Sequence, residues 1–292
     1  MPRSTSVADT ADELARRAAG RSGVEIRLID DLPGLEAVSG LFDAIWRPGP
    51  AYVVLTTEQL RALSYAGNYV AGAYDGRSLV GAAAGFFGTP LGVSMHSHVT
   101  GVSPSAAGRG IGWALKLHQR AWALRLGLTE ITWTFDPLVR RNAYFNLVKL
   151  GARPRRYLVD FYGEIFDAVN AGQGSDRVLL GWELESPDVV ATCAGTSDKR
   201  GVPEFGEASV CRAVSESASE HPQVEPESRW RAADVVCVQV PPDVVELRRR
   251  NPGAADKWRS AVRTVLGGLL TDGARVTGFS RSDGYVVQRV AA

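Results

Sequence analysis

Alternating apolar and polar residues predict a series of strands, and runs with a period near 3.6 predict helices between them. Before residue 185 the predicted order is strand 25–30, helices 35–46 and 57–66, strands 69–74, 79–87 and 93–102, helix 113–126, strand 131–135, a helical run that ends at Gly151, and strands near 157–162 and 177–184. Turn signals at Asp75-Gly76 and Asp136-Pro137 separate some of these elements. The pattern predicts an α/β (α+β) class with a mixed central sheet flanked by helices.

Polar stretches divide this pattern into segments. Residues 1–22 mix charged residues with alanine, and we expect a flexible N-terminal arm, either a frayed helix or a disordered segment. Residues 23–185 form the main predicted domain, and residues 186–229, rich in Ser, Glu, Gly and Pro, predict a linker or mobile loop. Residues 230–292 predict a small C-terminal α/β module, with strand 234–240, a helix capped by Asp243 that ends near Pro252, helix 254–270, and strands 275–279 and 285–290.

Composition narrows the classes of partner. The chain has 292 residues, 45% of them hydrophobic, which is enough for a substantial core, and its net charge of +1 gives no general attraction to nucleic acid or an anionic membrane. The three cysteines have no C-x-x-C spacing, which is typical of a reducing cytosol. We therefore expect a cytoplasmic protein with a small-molecule partner, no nucleic acid and no membrane, in which the C-terminal module covers the sheet or forms a homodimer contact.

A glycine-rich turn joins strand 93–102 to the next helix and is the feature most specific to function. Its sequence over 102–112 is Val-Ser-Pro-Ser-Ala-Ala-Gly-Arg-Gly-Ile-Gly. Such a turn presents free N–H groups and the positive end of a helix dipole, which together bind phosphate. Leu115 stands where the Rossmann fingerprint needs a third glycine and where a P-loop needs glycine before its lysine. A turn that binds nothing remains the alternative.

The turn resembles motif A of the GNAT superfamily of acyl-CoA-dependent N-acyltransferases. The matching positions of Val-x-Pro-x-x-(Gln/Arg)-x-x-Gly-x-Gly are Val102, Pro104, Ala107, Gly110 and Gly112. Strand 131–135 and the helix that follows, with Ala143 and Gly151, are similar to the end of that family's acetyl-CoA region. The resemblance covers residues 25–185 and implies the GNAT fold. The segments 96–102, 132–138 and 141–147 look like a bacterial subgroup of predicted acetyltransferases, some of them linked to amino-acid acylation and racemisation.

The resemblance implies where CoA binds. The N–H groups of 108–112, that is Gly108, Arg109, Gly110, Ile111 and Gly112, are implied to hold the pyrophosphate, while the Arg109 side chain either adds charge or is solvated. An N–H near Val102 is the implied oxyanion donor. Further implied contacts are Thr100, Gly101, Ala107, Trp113, Asn142, Phe145 and Asn146. Asn142 and Asn146 either bond pantetheine amides or cap the helix.

N-acyl transfer also needs a base, because only the free amine attacks. His96 and His98 are expected to share a strand face with Thr100 and Val102, and His96 stands where some GNAT enzymes place a base. We expect His96 to be the base, titrating near neutrality, and His98 to be a second base or a substrate contact. The alternatives are packed core histidines or a metal-binding pair, for which no third ligand is evident. His118 is expected to be structural.

Two departures from the family pattern concern binding and the acid. Ala107 replaces the usual Gln/Arg but keeps its N–H. Leu147 occupies the place of the tyrosine that protonates the leaving thiolate in many GNAT enzymes, and Tyr144, one turn earlier, either replaces it or is a core aromatic. Asp136 is expected to bind a substrate ammonium or fix a histidine tautomer, or else to be a turn residue. Trp46, Tyr65 and Tyr69 line an acceptor pocket or belong to the core.

These observations predict an enzyme that transfers an acyl group, with acetyl-CoA as the expected donor, to the primary amine of a small molecule. The first alternative is a non-catalytic acyl-CoA-binding sensor or scaffold, which the missing tyrosine favours and the paired histidines oppose. The second is a GNAT enzyme that uses succinyl-CoA or decarboxylates an acyl-CoA.

Overall fold

The structure is a computed structural model that describes residues 6–47, 53–163, 174–196 and 209–289. The chain divides into two units. Over the described residues the first unit contains 6–133 and 183–194, and the second contains 134–163, 174–182, 195–196 and 209–289. This division falls at residues 133 and 134, whereas the sequence analysis expected a boundary after residue 185.

The helices and strands follow the predicted order through residue 185. In chain order they are α1 Val7–Arg21, β1 Glu25–Leu28, α2 Leu32–Trp46, α3 Thr57–Tyr65, β2 Val70–Asp75, β3 Ser78–Phe87, β4 Ser94–Val102, α4 Ile111–Arg125, β5 Glu130–Phe135, α5 Arg140–Tyr144, β6 Arg153–Leu158, β7 Arg177–Glu183, α6 Pro187–Ala194, β8 Val210–Glu216, β9 Pro222–Val224, α7 Glu227–Ala232, β10 Val235–Val238, α8 Val244–Arg250, α9 Pro252–Val262, α10 Gly268–Thr271, β11 Arg275–Ser280 and β12 Gly284–Gln288. A 3₁₀ turn, Pro104–Ala106, precedes α4, and π-helical turns Phe145–Lys149 and Arg263–Gly267 follow α5 and α9.

The first unit is built on a mixed sheet, as predicted, and its strand order is β1-β2-β3-β4-β5. The pairs are antiparallel except for β4 and β5, which are parallel. Helices cover both faces. A side chain at Gly81 would meet Ile111 and Leu115 of α4, and one at Gly101 would meet Trp46 of α2. Gly101 pairs with Ala82, the neighbour of Gly81, so α2 and α4 lie on opposite faces of the sheet.

Residues 7–21, which were expected to lie in a flexible arm, form the helix α1. Ser6 and Asp9 make a capping box at its start. A stripe of small side chains with one leucine is buried, and α1 packs against α4; the buried residues are Ala11, Leu14, Ala15 and Ala18. Alanines bury completely while adding little to hydropathy, which is why the pattern predicted an arm. Residues 1–5 of the predicted arm lie outside the described residues.

The second unit contains the antiparallel pair β6–β7 and a separate sheet in the order β11-β12-β10-β8-β9. Asp243 caps α8, which ends at Arg250, close to the predicted break near Pro252. The next helix, α9, begins at Pro252, two residues before the predicted start at Ala254. Between Val262 and Gly268 the predicted long helix passes through a π-helical turn.

The described parts of the segment that was predicted to be a linker form helices and strands. Residues 186–229 include α6, β8, β9 and α7. Strand β8 pairs in parallel with β10 and buries Cys211, Ala213 and Val214. A strand that buries few side chains among serines and glutamates has a weak apolar signal, and its partner strand comes only after residue 234. Residues 197–208 lie outside the described residues.

Candidate active site

The parallel ladder between β4 and β5 ends before β4 does. Its pairs run from Ser94↔Glu130 to His96↔Thr132, whereas β4 continues to Val102. We use the name strand fork for four residues. They are the last pair, His96 and Thr132, and the residue that follows each of them, Ser97 and Trp133. Within the residues that the structure describes, β4 beyond the fork has a strand partner on its β3 side alone.

A β-bulge interrupts β4 just after the fork. Ala84 of β3 pairs with Val99, but the next residue, Gly85, pairs with Ser97. His98 is therefore the extra residue of β4. A bulge breaks the strict alternation of side chains, so residues before and after it change faces relative to a regular strand.

The bulge places the two histidines on the face covered by α2. Both rings lie near Phe86, with centroid distances of 5.4 Å for His96 and 5.9 Å for His98. Val102 instead faces α4, and Thr100 lies on that same face. The predicted shared face of the histidines with Thr100 and Val102 is wrong, because it assumed an unbroken alternation.

His96 is held as a neutral imidazole. Its Nδ1 lies 3.0 Å from Thr132 Oγ1, and that hydroxyl donates to Met95 O at 3.4 Å. When the hydroxyl proton is directed to Met95 O, Nδ1–H donates to Oγ1 and Nε2 keeps its lone pair; in the other tautomer the hydroxyl donates to Nδ1. Burial, with smaller contributions from the charges of His98 and Lys116, lowers the pKa of His96 to about 4. The expected titration near neutrality is corrected accordingly; burial also lowers the pKa of His98.

The free edge of β4 carries main-chain donors and an unpaired hydroxyl. Ser103 N–H donates to Val80 O at 2.9 Å on the β3 side. Neighbouring residues of a strand direct their N–H groups to opposite edges, so Val102 N–H points to the free edge, as does Thr100 N–H. Thr100 Oγ1 is buried and has no hydrogen-bond partner among the described residues.

The glycine turn brings this edge to the start of α4. Gly108 and Gly110 have φ of +81° and +84°, which side chains rarely adopt. Gly110 is the N-cap of α4 and makes no side-chain capping bond. Ala114 N–H bonds to Gly110 O, so the N–H groups of Ile111 and Gly112 precede the helical ladder. Those groups match the predicted phosphate site.

Gly112 is a glycine that its protein surroundings do not require. It lies in helical backbone, and a Cβ there would meet Val102 Cγ2 alone, at 4.0 Å. Glycine inside a helix is less favourable than alanine by about 1 kcal/mol. The contacts around Gly112 within the described residues therefore leave room for a side chain. At Gly101, in contrast, the neighbouring Ile45 and Trp46 already exclude a side chain.

Two residues of the turn are committed to protein contacts. Arg109 bonds to Asp75 Oδ2 at 2.8 Å, Ser22 O at 3.1 Å and Gly23 O at 3.3 Å. These contacts anchor the turn, while the Arg109 side chain remains 37% exposed. Ala107 N–H donates to Pro104 O at 3.3 Å and closes the 3₁₀ turn, although we expected it to stay available to CoA.

Lys116 is a residue of the site that sequence reasoning missed. It is 6% exposed, and its Nζ donates to Ser97 Oγ at 2.8 Å and to Gln119 Oε1 at 3.2 Å. Nζ also lies 4.0 Å from the centre of the Trp133 ring. Burial lowers the pKa of Lys116 to about 7. The available signal was its position one helical turn after Gly112 in a chain with only four lysines.

His118 is part of the packing, as predicted. Tyr69 Oη lies 2.8 Å from its Nδ1, and Tyr69 packs edge-on against Trp122. Tyr69 is fully buried, whereas Tyr65 is 84% exposed. Trp46 lies beside Gly101, on the face that carries His96.

Asp136 belongs to the second unit, where it is buried in an ion-pair cluster. Its Oδ2 lies 2.5 Å from Arg248 and 2.9 Å from Arg259, and its Oδ1 accepts from Leu138 N–H at 2.9 Å. Burial raises the pKa of Asp136, but the two arginines outweigh it and lower the pKa overall. Both oxygens are engaged, which leaves neither for the predicted substrate ammonium or histidine tautomer. Of the alternatives, the structural turn residue describes it best.

The other candidates of the second unit lie on or after α5. Asn142 is exposed and Tyr144 is 37% exposed. Phe145 is half-buried at the start of the π-helical turn, and Asn146 and Leu147 are buried. Gly151, the predicted helix stop, has φ of +71°. Tyr144 therefore keeps an accessible hydroxyl, whereas Leu147 has no proton to donate.

The described residues contain no group of three or more His, Cys, Asp and Glu side chains placed to hold a metal ion. They also include no helix whose length and apolar character would allow it to cross a membrane.

No family model and no curated protein matches the chain. Among solved structures it is similar to a ribosomal-protein-S5-alanine acetyltransferase from Vibrio fischeri, with 16% identity over 56% of this chain and 94% of that one, at a TM-score of 0.45. An N-acetyltransferase from Staphylococcus aureus matches with 17% identity over 56% and 99%, TM-score 0.45. A putative acetyltransferase from Salmonella typhimurium, solved with acetyl-CoA, matches with 17% identity over 56% and 95%, TM-score 0.45. At these identities and TM-scores the similarity concerns only part of the fold. Any function must be argued from the residues of this chain.

Proposed function

We propose that this chain transfers an acyl group, in the first instance acetyl, from acyl-CoA to the primary amine of a small molecule. One observation carries the proposal. The free edge of β4 leads from His96 at the fork to the uncapped, glycine-bearing start of α4. That path joins a base, main-chain donors and a phosphate site in the order that an extended thioester with a pyrophosphate needs.

The residues present fit CoA. The N–H groups of Ile111 and Gly112 would hold the pyrophosphate, and the bare backbone at Gly112 allows it to approach closely. The N–H of Val102 and the unpaired Thr100 hydroxyl offer hydrogen bonds to pantetheine amides along the β4 edge. Bound acyl-CoA supplies the thioester whose acyl group is transferred.

His96 is suited to take the proton of the attacking amine. Its Nε2 lone pair is free in the tautomer whose Nδ1–H donates to Thr132. Its lowered pKa keeps it unprotonated at neutral pH, so the base form is always present, although each proton it accepts is held weakly. His98 and Trp46, on the same face, would line the amine site.

An acyl-CoA sensor without turnover is the second candidate. Leu147 is buried and carries no ionisable group, and Asp136 is neutralised by arginines. The loss of these expected active-site groups is what favours a sensor. Release of free thiol from the thioester separates the two functions, since a sensor binds acyl-CoA and leaves it intact.

Calorimetric titration with CoA and acetyl-CoA, followed by a free-thiol assay against a library of small amines, tests the proposal. We expect binding of both ligands, and thiol release that depends on one class of amine. Repeating the assay with succinyl-CoA and longer acyl-CoA thioesters defines the donor. Binding without thiol release from any donor would support the sensor, and absence of binding would refute an acyl-CoA function of either kind.

A further inference from the structure

Lys116 lies at the strand fork on the face opposite His96. Its Nζ contacts Ser97 and Trp133, the residues that directly follow the last β4–β5 pair on each strand. His96 and Thr132, the last pair itself, are joined on the α2 face. The fork therefore has an imidazole on one face and an amine on the other.

The surroundings of Lys116 are polar but uncharged. Ser97 Oγ, Gln119 Oε1 and the face of Trp133 are its contacts. Each of these stabilises an ammonium, yet none compensates its charge. Burial accordingly lowers the pKa of Lys116 to about 7, so that the ammonium and the free amine coexist at neutral pH.

The charged groups of the neighbouring elements are committed elsewhere or lie on the other face. Strand β3 carries no titratable residue, β4 carries His96 and His98 on the α2 face, and β5 carries Glu130 at its start, opposite Ser94. On α4 itself, His118 bonds to Tyr69, and Arg120 donates to Leu184 O at 3.0 and 2.6 Å. At the contact between α1 and α4, Arg125 of α4 forms an ion pair with Asp12 of α1.

Two buried polar atoms on this face have no partner among the described residues. They are Thr100 Oγ1 on β4 and Gln119 Nε2 on α4. Gln119 is also a partner of Lys116. Buried polar groups are almost always hydrogen-bonded in native proteins, so these two atoms offer hydrogen bonds to a bound ligand or to water on the face that carries Lys116.

We propose that Lys116 stabilises the sulfur atom that leaves when the thioester is cleaved and donates the proton that converts it to the thiol. The inference rests on the proposed function. As the amine nitrogen bonds to the acyl carbon, the carbon–sulfur bond breaks and its electron pair stays on sulfur. Sulfur takes a proton from Nζ, which becomes a neutral amine. The attacking amine loses its proton to His96, and exchange with solvent returns His96 and Lys116 to their starting forms, so no other reactant is needed.

The test measures the acidity of the thiol of bound CoA. The ultraviolet absorbance of the thiolate reports how much of the thiol is ionised as the pH is raised. Below pH 7, where Lys116 is mostly protonated, we expect the thiolate fraction of bound CoA to be at least about tenfold that of free CoA at the same pH, since a cation nearby favours the thiolate. Lys116→Met removes the charge while keeping the length of the side chain, and we expect the increase to disappear.

Lys116→Arg separates charge from proton donation. Guanidinium stays charged, so bound CoA should remain acidic in this variant, but it does not release its proton and turnover should fall. Lys257→Met is the matched control, because Lys257 is an exposed lysine of α9, and it should change neither quantity. Circular dichroism and CoA calorimetry on every variant establish that each is folded and binds CoA.

The outcomes distinguish the inference from the function on which it rests. If wild type and Lys116→Met bind CoA with the same thiol acidity, the role of Lys116 is overturned while the acyltransferase proposal stands. If the wild type does not bind CoA, both are refuted. Loss of the acidity in Lys116→Met, with its retention in Lys116→Arg, supports the inference.

Discussion

Nδ1 of His96 lies 3.0 Å from the hydroxyl of Thr132, its partner in the last pair of the parallel ladder between β4 and β5. The contact spans the point where the ladder ends and orients the imidazole there. When the hydroxyl proton is directed to Met95 O, the same contact favours the tautomer with the lone pair on Nε2. A threonine on the neighbouring strand thus prepares the proposed base for its task.

His96→Ala should lower turnover by about 10²–10⁴-fold, the usual contribution of a positioned base. CoA affinity should change little, because His96 lies on the α2 face whereas Thr100 and Val102 face α4. Steady-state kinetics and calorimetry measure the two effects. Equal turnover in wild type and variant at every pH would remove His96 from the mechanism.

The pH dependence of that loss follows from the lowered pKa of His96. With a pKa of about 4 the base form persists well below the ordinary histidine value of 6.5. The ratio of wild-type to His96→Ala turnover should therefore stay constant from neutral pH to about pH 5 and fall towards one at lower pH. Taking the ratio cancels the ionisation of the substrate amine. A ratio that falls near pH 6.5 would contradict the buried, neutral imidazole.

Gly112→Ala tests the phosphate site without straining the fold. The new Cβ would meet Val102 at an ordinary 4.0 Å, so the melting temperature should be unchanged or raised. The methyl group would hold the pyrophosphate off the backbone, and we expect CoA affinity to fall by about tenfold or more, roughly the loss of one good hydrogen bond to a charged group.

Gly40→Ala is the matched control for Gly112→Ala. Gly40 also lies in helical backbone, in α2, and a Cβ there meets nothing within 4 Å. Its stability should respond similarly and its CoA affinity should not change. Gly110→Asp is a less clean variant, because Gly110 has positive φ and Ser22 Oγ lies 3.2 Å from the added Cβ. CoA binding by Gly112→Ala as tight as by wild type would argue against the pyrophosphate assignment.

Asp136→Asn should destabilise the protein by about 3–5 kcal/mol, because the buried Arg248 and Arg259 would lose the carboxylate that both of them contact. Urea unfolding of wild type and variant measures this. The folded pKa of Asp136 lies below 3.8, so its contribution is fully present above pH 3.8 and is lost as pH falls through the folded pKa. Unchanged stability with a selective loss of amine binding would restore Asp136 as a substrate contact.

Tyr69→Phe should cost about 1–3 kcal/mol of stability by leaving the buried Nδ1 of His118 without its partner. Turnover and CoA affinity should be unaffected, because the pair belongs to the packing between α4 and the sheet. Thermal unfolding and the thiol-release assay provide the two readouts. A large loss of turnover at unchanged stability would place His118 in the active site.

Elements with regular patterns were predictable from local sequence. The order of strands and helices through residue 185, the glycine turn, and the helix cap at Asp243 all appear where periodicity and turn residues indicated. Local sequence was a poorer guide where burial is shared with distant partners. The helix α1 buries alanines against α4, and β8 has β10 as its partner, so neither needs a strong apolar signal of its own.

The amino-acid sequence by itself determined the class of fold, the glycine turn at the start of α4, and the identity of His96 as a candidate base. The tertiary structure decided which of the candidate groups are available for chemistry. It committed Arg109 and Asp136 to ion pairs, moved the histidines to the α2 face through a bulge, and buried Lys116 at the fork. Charge compensation, side-chain direction and pKa all depend on neighbours that are distant in sequence, so local patterns do not contain them.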